Sequence, residues 1–144
     1  MSPNKSRSNG FALLLVLLVL SSVISGMTLI ARTAAWHTQG ELQRRAWQRA
    51  RLLALGGIQV CKYQMAIGRS GLLGSLTLPA GNIEEGNIAT YKSKMRAANV
   101  SGITVDSDES LLIGYDSKSK QALSYVEITH KKAVISRIWV KQKI

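Results

Sequence analysis

The chain has 144 residues, with 19 Lys+Arg against 8 Asp+Glu, for a formal net charge of +11. A single cysteine, Cys61, excludes an intrachain disulfide framework. One cysteine and two histidines, His37 and His130, are too few for a zinc site built on those ligands. The basic balance suits an anionic partner, whether lipid head groups, nucleic acid or an acidic protein, without choosing among them.

Residues 1–10 are polar and carry Lys5 and Arg7 with no acid. Residues 11–31, FALLLVLLVLSSVISGMTLIA, contain no charge. A helix of that length rises about 30 Å, the thickness of a bilayer's hydrocarbon core. Lys5 and Arg7 favour a cytoplasmic N-terminus. Arg32, Arg44, Arg45, Arg49 and Arg51 beyond the segment weaken that bias, and Trp36 sits where an interfacial aromatic belongs. Three readings stay open at this point. A secretory signal could be cut near Thr33-Ala34-Ala35, although the apolar run is long for one. A plain signal anchor is the second. The third rests on the junction itself.

Asn9-Gly10-Phe11-Ala12-Leu13 ends a short basic leader in glycine and opens the apolar run with phenylalanine. This resembles the leader junction of type IV pilins and type II secretion pseudopilins. The resemblance implies that a prepilin peptidase cuts after Gly10 and methylates Phe11. The retained helix then anchors the subunit and later packs among other pilin or pseudopilin subunits. Most members carry Glu at the fifth mature position, which here is Leu15. The K-type minor pseudopilin also lacks that acid and sits at the filament tip, so Leu15 implies a tip or initiating subunit. Residues 48–58, with Gln48-Arg49-Ala50-Arg51 leading into Ala54-Leu55-Gly56-Gly57, resemble the K-type pattern. The resemblance covers roughly residues 5–60. It implies residence in a bacterial inner membrane, single pass, with the C-terminal domain periplasmic or extracellular.

The spacing predicts that the helix continues over 36–67. Leu42, Ala46, Ala50, Leu53, Gly57 and Val60 form one stripe, widened by Trp47, Ala54, Ile58, Cys61 and Met65. Trp47 and Cys61 are expected in the core, Cys61 as a buried free thiol. The arginines read as a solvated face. Gly40 and Gly56-Gly57 weaken the helix locally and mark a bend or a close approach.

Residues 68–87 are rich in Gly, Ser, Asn and Pro and read as a loop pinned by Leu72, Leu73, Leu76 and Leu78. Over 88–144 the period changes to two. Strands are expected through Ala89, Tyr91 and Met95, around Ile103 and Val105, over 110–115, over 122–129 and over 133–141. The last two pair as a hairpin across His130-Lys131-Lys132. In the last strand Val134, Ser136, Ile138 and Val140 share one face, and Ile135, Arg137, Trp139 and Lys141 the other. The predicted fold is α+β: a long N-terminal helix packed on one face of a small antiparallel sheet of about four strands.

No phosphate-binding loop, nucleophile elbow or zinc-protease motif is present in the sequence, and an enzyme is not expected. Asp106, Asp108 and Asp116 flank a loop where related subunits hold calcium, but they lack the EF-hand glycine and final Glu. Tyr91 with Lys92 and Lys94, and Trp139 with Arg137 and Lys141, place aromatics among cations in a way that suits single-stranded nucleic acid. The leading expectation is a minor pilin-like subunit that initiates or caps a type II secretion, type IV pilus or competence filament. The alternative is a membrane-anchored basic protein of DNA binding or uptake.

Overall fold

The computed structural model describes residues 5–98 and 104–144. Helix α1 spans Lys5–Ala66 and contributes to two compact units, one ending at Leu42 and one spanning Gln43–Ile144. In the first unit the helix carries its side chains exposed throughout 10–42. Nothing in that stretch belongs to a core.

In the second unit α1 buries a stripe of small residues. Ala46, Ala50, Ala54, Gly57 and Cys61 run along its middle, flanked by Leu53, Ile58 and Val60. The short side chains let the helix backbone lie close to the sheet. The helix ends on Gly68, which has φ +73. There the Arg69 N–H donates to Gln64 O at 2.8 Å and the Gly68 N–H to Met65 O at 3.2 Å. This paired arrangement satisfies the last carbonyls, and its left-handed residue needs no Cβ.

The sheet has five strands: β1 (Gly74–Ser75), β2 (Arg96–Ala97), β3 (Glu109–Asp116), β4 (Gln121–His130) and β5 (Ala133–Lys143). The order is β1-β3-β4-β5, with β2 also on β3. All pairs are antiparallel except β1 with β3. The expected α+β fold, a long helix on a small and mostly antiparallel sheet, is therefore the observed one.

Alternation divides the sheet into two faces. Leu111, Ile113, Tyr115, Ala122, Val126 and Ile128 meet α1. Leu123 and Tyr125 face the other way and are covered by Leu76, Leu78, Ile83, Ile88 and Met95. The segment expected as a loop and a further strand is thus a strap across the second face of the sheet. Two corrections follow. Residues 88–92 form a short helix, α2 (Ile88–Lys92), not a strand through Ala89 and Tyr91. Its apolar residues sit at helical as well as alternating spacing, and Ile88 and Met95 are anchored to the strap's core. Leu72 is exposed, while Leu73, Leu76 and Leu78 are buried. The strand expected around Ile103 lies outside the described residues on that side, and Thr104, Val105 and Asp106 have no strand structure.

The hairpin joining β4 to β5 turns on Lys131 and Lys132, with φ 50 and 66. A register shift at Ile128/Thr129 leaves Ile135 as an extra residue, since Thr129 pairs with Val134 and Ile128 with Ser136. That bulge moves Ile135 onto the α1 side beside Ile138 and Val140, correcting its expected place beside Trp139.

Candidate functional site

Gly10, Phe11 and the apolar segment that follows occupy consecutive turns of one helix. Gly10 lies within α1 with open space where a Cβ would be. Phe11 is 68% exposed and Leu15 52%. The intervening and following leucines and valines are exposed in the same way. The polar residues of the segment are satisfied locally. Ser21 Oγ donates to Leu18 O at 2.9 Å, Ser22 Oγ to Val19 O at 2.8 Å and Ser25 Oγ to Ser21 O at 2.7 Å. With hydroxyls bonded to their own helix, the segment presents no unmet polar group to hydrocarbon. Among the described residues this is one helix long and apolar enough to cross a membrane. Trp36 is exposed, five residues past the uncharged run.

The three aspartates are not brought together. Asp106 and Asp108 lie in the turn before β3, and Asp116 ends that strand. Eight residues of extended chain separate Asp108 from Asp116 by about 25 Å. Asp116 is buried and already engaged. It accepts the Leu78 N–H at 2.8 Å, the Ser119 hydroxyl at 2.7 Å and the Lys118 N–H at 2.9 Å. The Leu78 N–H first, then the Ser119 hydroxyl, holds its carboxyl down at about 2. Asp116 thus locks the strap and the β3–β4 turn to each other. Among the described residues no group of three His, Cys, Asp or Glu is arranged around a metal-sized space.

The charged contacts that matter were not legible from spacing. Arg49 on α1 donates two bonds to Glu109, at 2.9 and 3.2 Å, and a third to Thr104 O at 2.8 Å. Burial raises the Glu109 pKa, but the Arg49 bond, the Asp106 N–H and the guanidinium charge outweigh it and leave the pKa lowered. On the strap side, Glu127 accepts from Tyr125 at 2.7 Å and Lys92 at 3.1 Å, with Arg137 at 3.6 Å. Tyr125, burial first and Glu127 second, is pushed up to about 12. The Arg49–Glu109 and Lys92–Glu127 contacts join residues far apart in the chain, and only an expected tertiary pairing could have flagged them.

Cys61 is fully buried, and burial pushes its thiol up to about 12, which removes it as a nucleophile. Trp47, expected in the core, is 49% exposed, with the Arg51 guanidinium 5.6 Å from its ring centroid. An open cleft of about 410 Å³ lies between the strap and β5, lined by Asn82, Ile83, Trp139 and Lys141. Lys141 Nζ donates to the carbonyls of Pro79 and Gly81 and holds the rim.

No protein-family model, curated protein or solved structure matches this chain.

Proposed function

We propose that the chain is a minor pilin-like subunit, a structural component that initiates or caps a type II secretion, type IV pilus or competence filament. The observation that carries the reading is the division of labour along α1. Its first part is apolar and exposed, and its last part is the packed helix of an α+β domain. A helix retained through both parts is what such a subunit needs, because the anchor must later become filament core. The junction at Gly10 and Phe11 supplies the processing step, and Leu15 supplies the tip placement. Without the usual carboxylate at that position, the subunit has nothing to neutralise the terminal amine of a neighbour, and an unpaired buried charge is costly. The protein resides in the bacterial inner membrane, N-terminus cytoplasmic and folded domain outside, and its role is structural, not catalytic.

The test is the mature N-terminus by mass spectrometry after expression with a prepilin peptidase. The expected product begins at N-methyl-Phe11, and Gly10→Ala abolishes it. An intact Met1 in the presence of active peptidase, or a start at Trp36, would refute the reading.

A further inference from the structure

The outward face of β5 is built as a row. Arg137, Trp139, Lys141 and Lys143 alternate along one side of the strand. Trp139 packs on the strap-side cluster, Arg137 reaches Glu127 and Lys141 reaches the strap carbonyls, so this is the face away from α1. Successive members are about 6.8 Å apart along the strand. Pairing of Gln121 with Lys143, and the Ile144 N–H bond to Lys120 O at 2.9 Å, bring the β3–β4 turn to the same end. That turn adds Lys118 and Lys120, both exposed. Lys118, Lys120 and Lys143 make no ion pair with any described residue. The cleft with Trp139 in its wall opens beside this row.

We infer that this face of β5, with the adjoining β3–β4 turn, binds single-stranded nucleic acid. Lys141 and Lys143, two residues apart on β5, stand about 6.8 Å from each other, a spacing that matches the repeat of phosphates along an extended strand. The cleft offers one base a place against the indole of Trp139, and stacking of that kind tolerates any base. Three unpaired ammonium groups at one end provide counterion release, the main source of affinity for a polyanion. A lipid surface is a plane of head groups and would make no use of a cleft beside a single strand. The inference does not depend on cleavage at Gly10.

The full chain in neutral detergent micelles, titrated into a fluorescent oligothymidylate, tests it. Binding is expected at about 50 mM salt and should weaken steeply as salt rises. The double variant Lys118→Glu/Lys143→Glu should lose about tenfold or more in affinity. The same charge change on the far side, Arg51→Glu/Lys62→Glu, should cost less than about threefold. Trp139→Leu, which keeps an apolar side chain on the cluster, should lose about tenfold with its circular dichroism unchanged. Equal losses in the two charge-reversed variants would overturn the inference, because charge alone would then explain binding. So would the absence of binding at low salt. Vesicles of phosphatidylglycerol form the last arm: capture of the chain by them through Lys118 and Lys143, with no oligonucleotide bound, assigns the surface to lipid and also overturns it.

Discussion

At Gly57 the helix backbone comes within reach of the sheet. A Cβ there would press on Ser124 Oγ, with Leu111 Cδ1 at 3.0 Å and Ser124 Cβ at 3.1 Å. Ser124 Oγ is itself buried and has no hydrogen-bond partner among the described residues. Gly57→Ala should therefore destabilise by about 1–2 kcal/mol, overpacking outweighing the gain in helix propensity. Ser124→Ala should be close to neutral alone, since the lost hydroxyl has nothing to bond. Combined with Gly57→Ala it should restore most of the loss, and urea unfolding of the four proteins measures that coupling. Asp116 tests a second residue. Asp116→Asn places an amide where four donors converge and should cost about 1–3 kcal/mol at pH 7. The folded carboxyl titrates at about 2, below the ordinary value near 3.9. Its stabilisation is thus full above about pH 4 and is lost as pH falls through 2, so the gap between wild type and Asp116→Asn should close over that range. The sequence left a bend or a close approach open at Gly40 and Gly56-Gly57, and Gly57 is a close approach while Gly40 meets nothing among the described residues; Cys61 is the buried thiol expected. Sequence spacing misplaced Trp47, which sits on the flank of the stripe at its first turn, beside Ala46, where the buried face begins. Asp116 read as one of three aspartates flanking a loop, and only the arrival of Leu78 from the strap shows what the carboxylate does.

The β4–β5 hairpin shows how an element can be legible while its turn is not. The alternation over 122–129 and 133–141 predicts the strands, and they extend only a little further. The turn has no glycine or asparagine, yet both central residues adopt positive φ. That geometry suits the twist of a two-residue hairpin, but for a side chain with a Cβ it costs about 1–2 kcal/mol per residue. Replacing Lys131-Lys132 by Asn-Gly should stabilise the protein by about 1 kcal/mol or more, raising Tm by roughly 4–8 °C in a unit of this size. An unchanged or lowered Tm would show that the lysines make a contact outweighing the strain. The bulge at Ile135 was invisible for a related reason. Alternation assumes one residue per pairing step, and the register shift at Ile128/Thr129 breaks that assumption locally. The strap escaped for another. Its turn-rich composition over 68–87 signals a connection, but its leucines specify only that something apolar is met, not which face of the sheet.

For the molecule as a whole, the division at Leu42 carries a direct consequence. Among the described residues, every buried side chain belongs to the unit spanning Gln43–Ile144, and the first of them is Ala46. Residues 10–42, which hold the uncharged run and Trp36, are exposed throughout. This much of the organisation was legible at once, because an uncharged run long enough to cross a bilayer and a mixed helical stripe are different patterns along a single helix. Where the packed part of the helix begins was not, because the residues from His37 to Glu41 and from Gln43 to Arg45 are polar or glycine on both sides of Leu42, and nothing in them marks the first buried position. If the core is complete beyond Leu42, a chain of residues 43–144 should fold in the absence of detergent. Its thermal transition should be single and should fall within a few degrees of the full chain's transition in micelles, as the lost residues bury nothing. The first turn of the shortened helix will fray, which costs little because the packed stripe and not local propensity holds α1 in place. Circular dichroism melting and gel filtration of the two proteins decide it. Aggregation of the shortened chain, or a broad transition without a folded baseline, would mean that the exposed Trp47, Leu52, Leu55 and Tyr63 need a covering that the unit spanning Gln43–Ile144 lacks by itself.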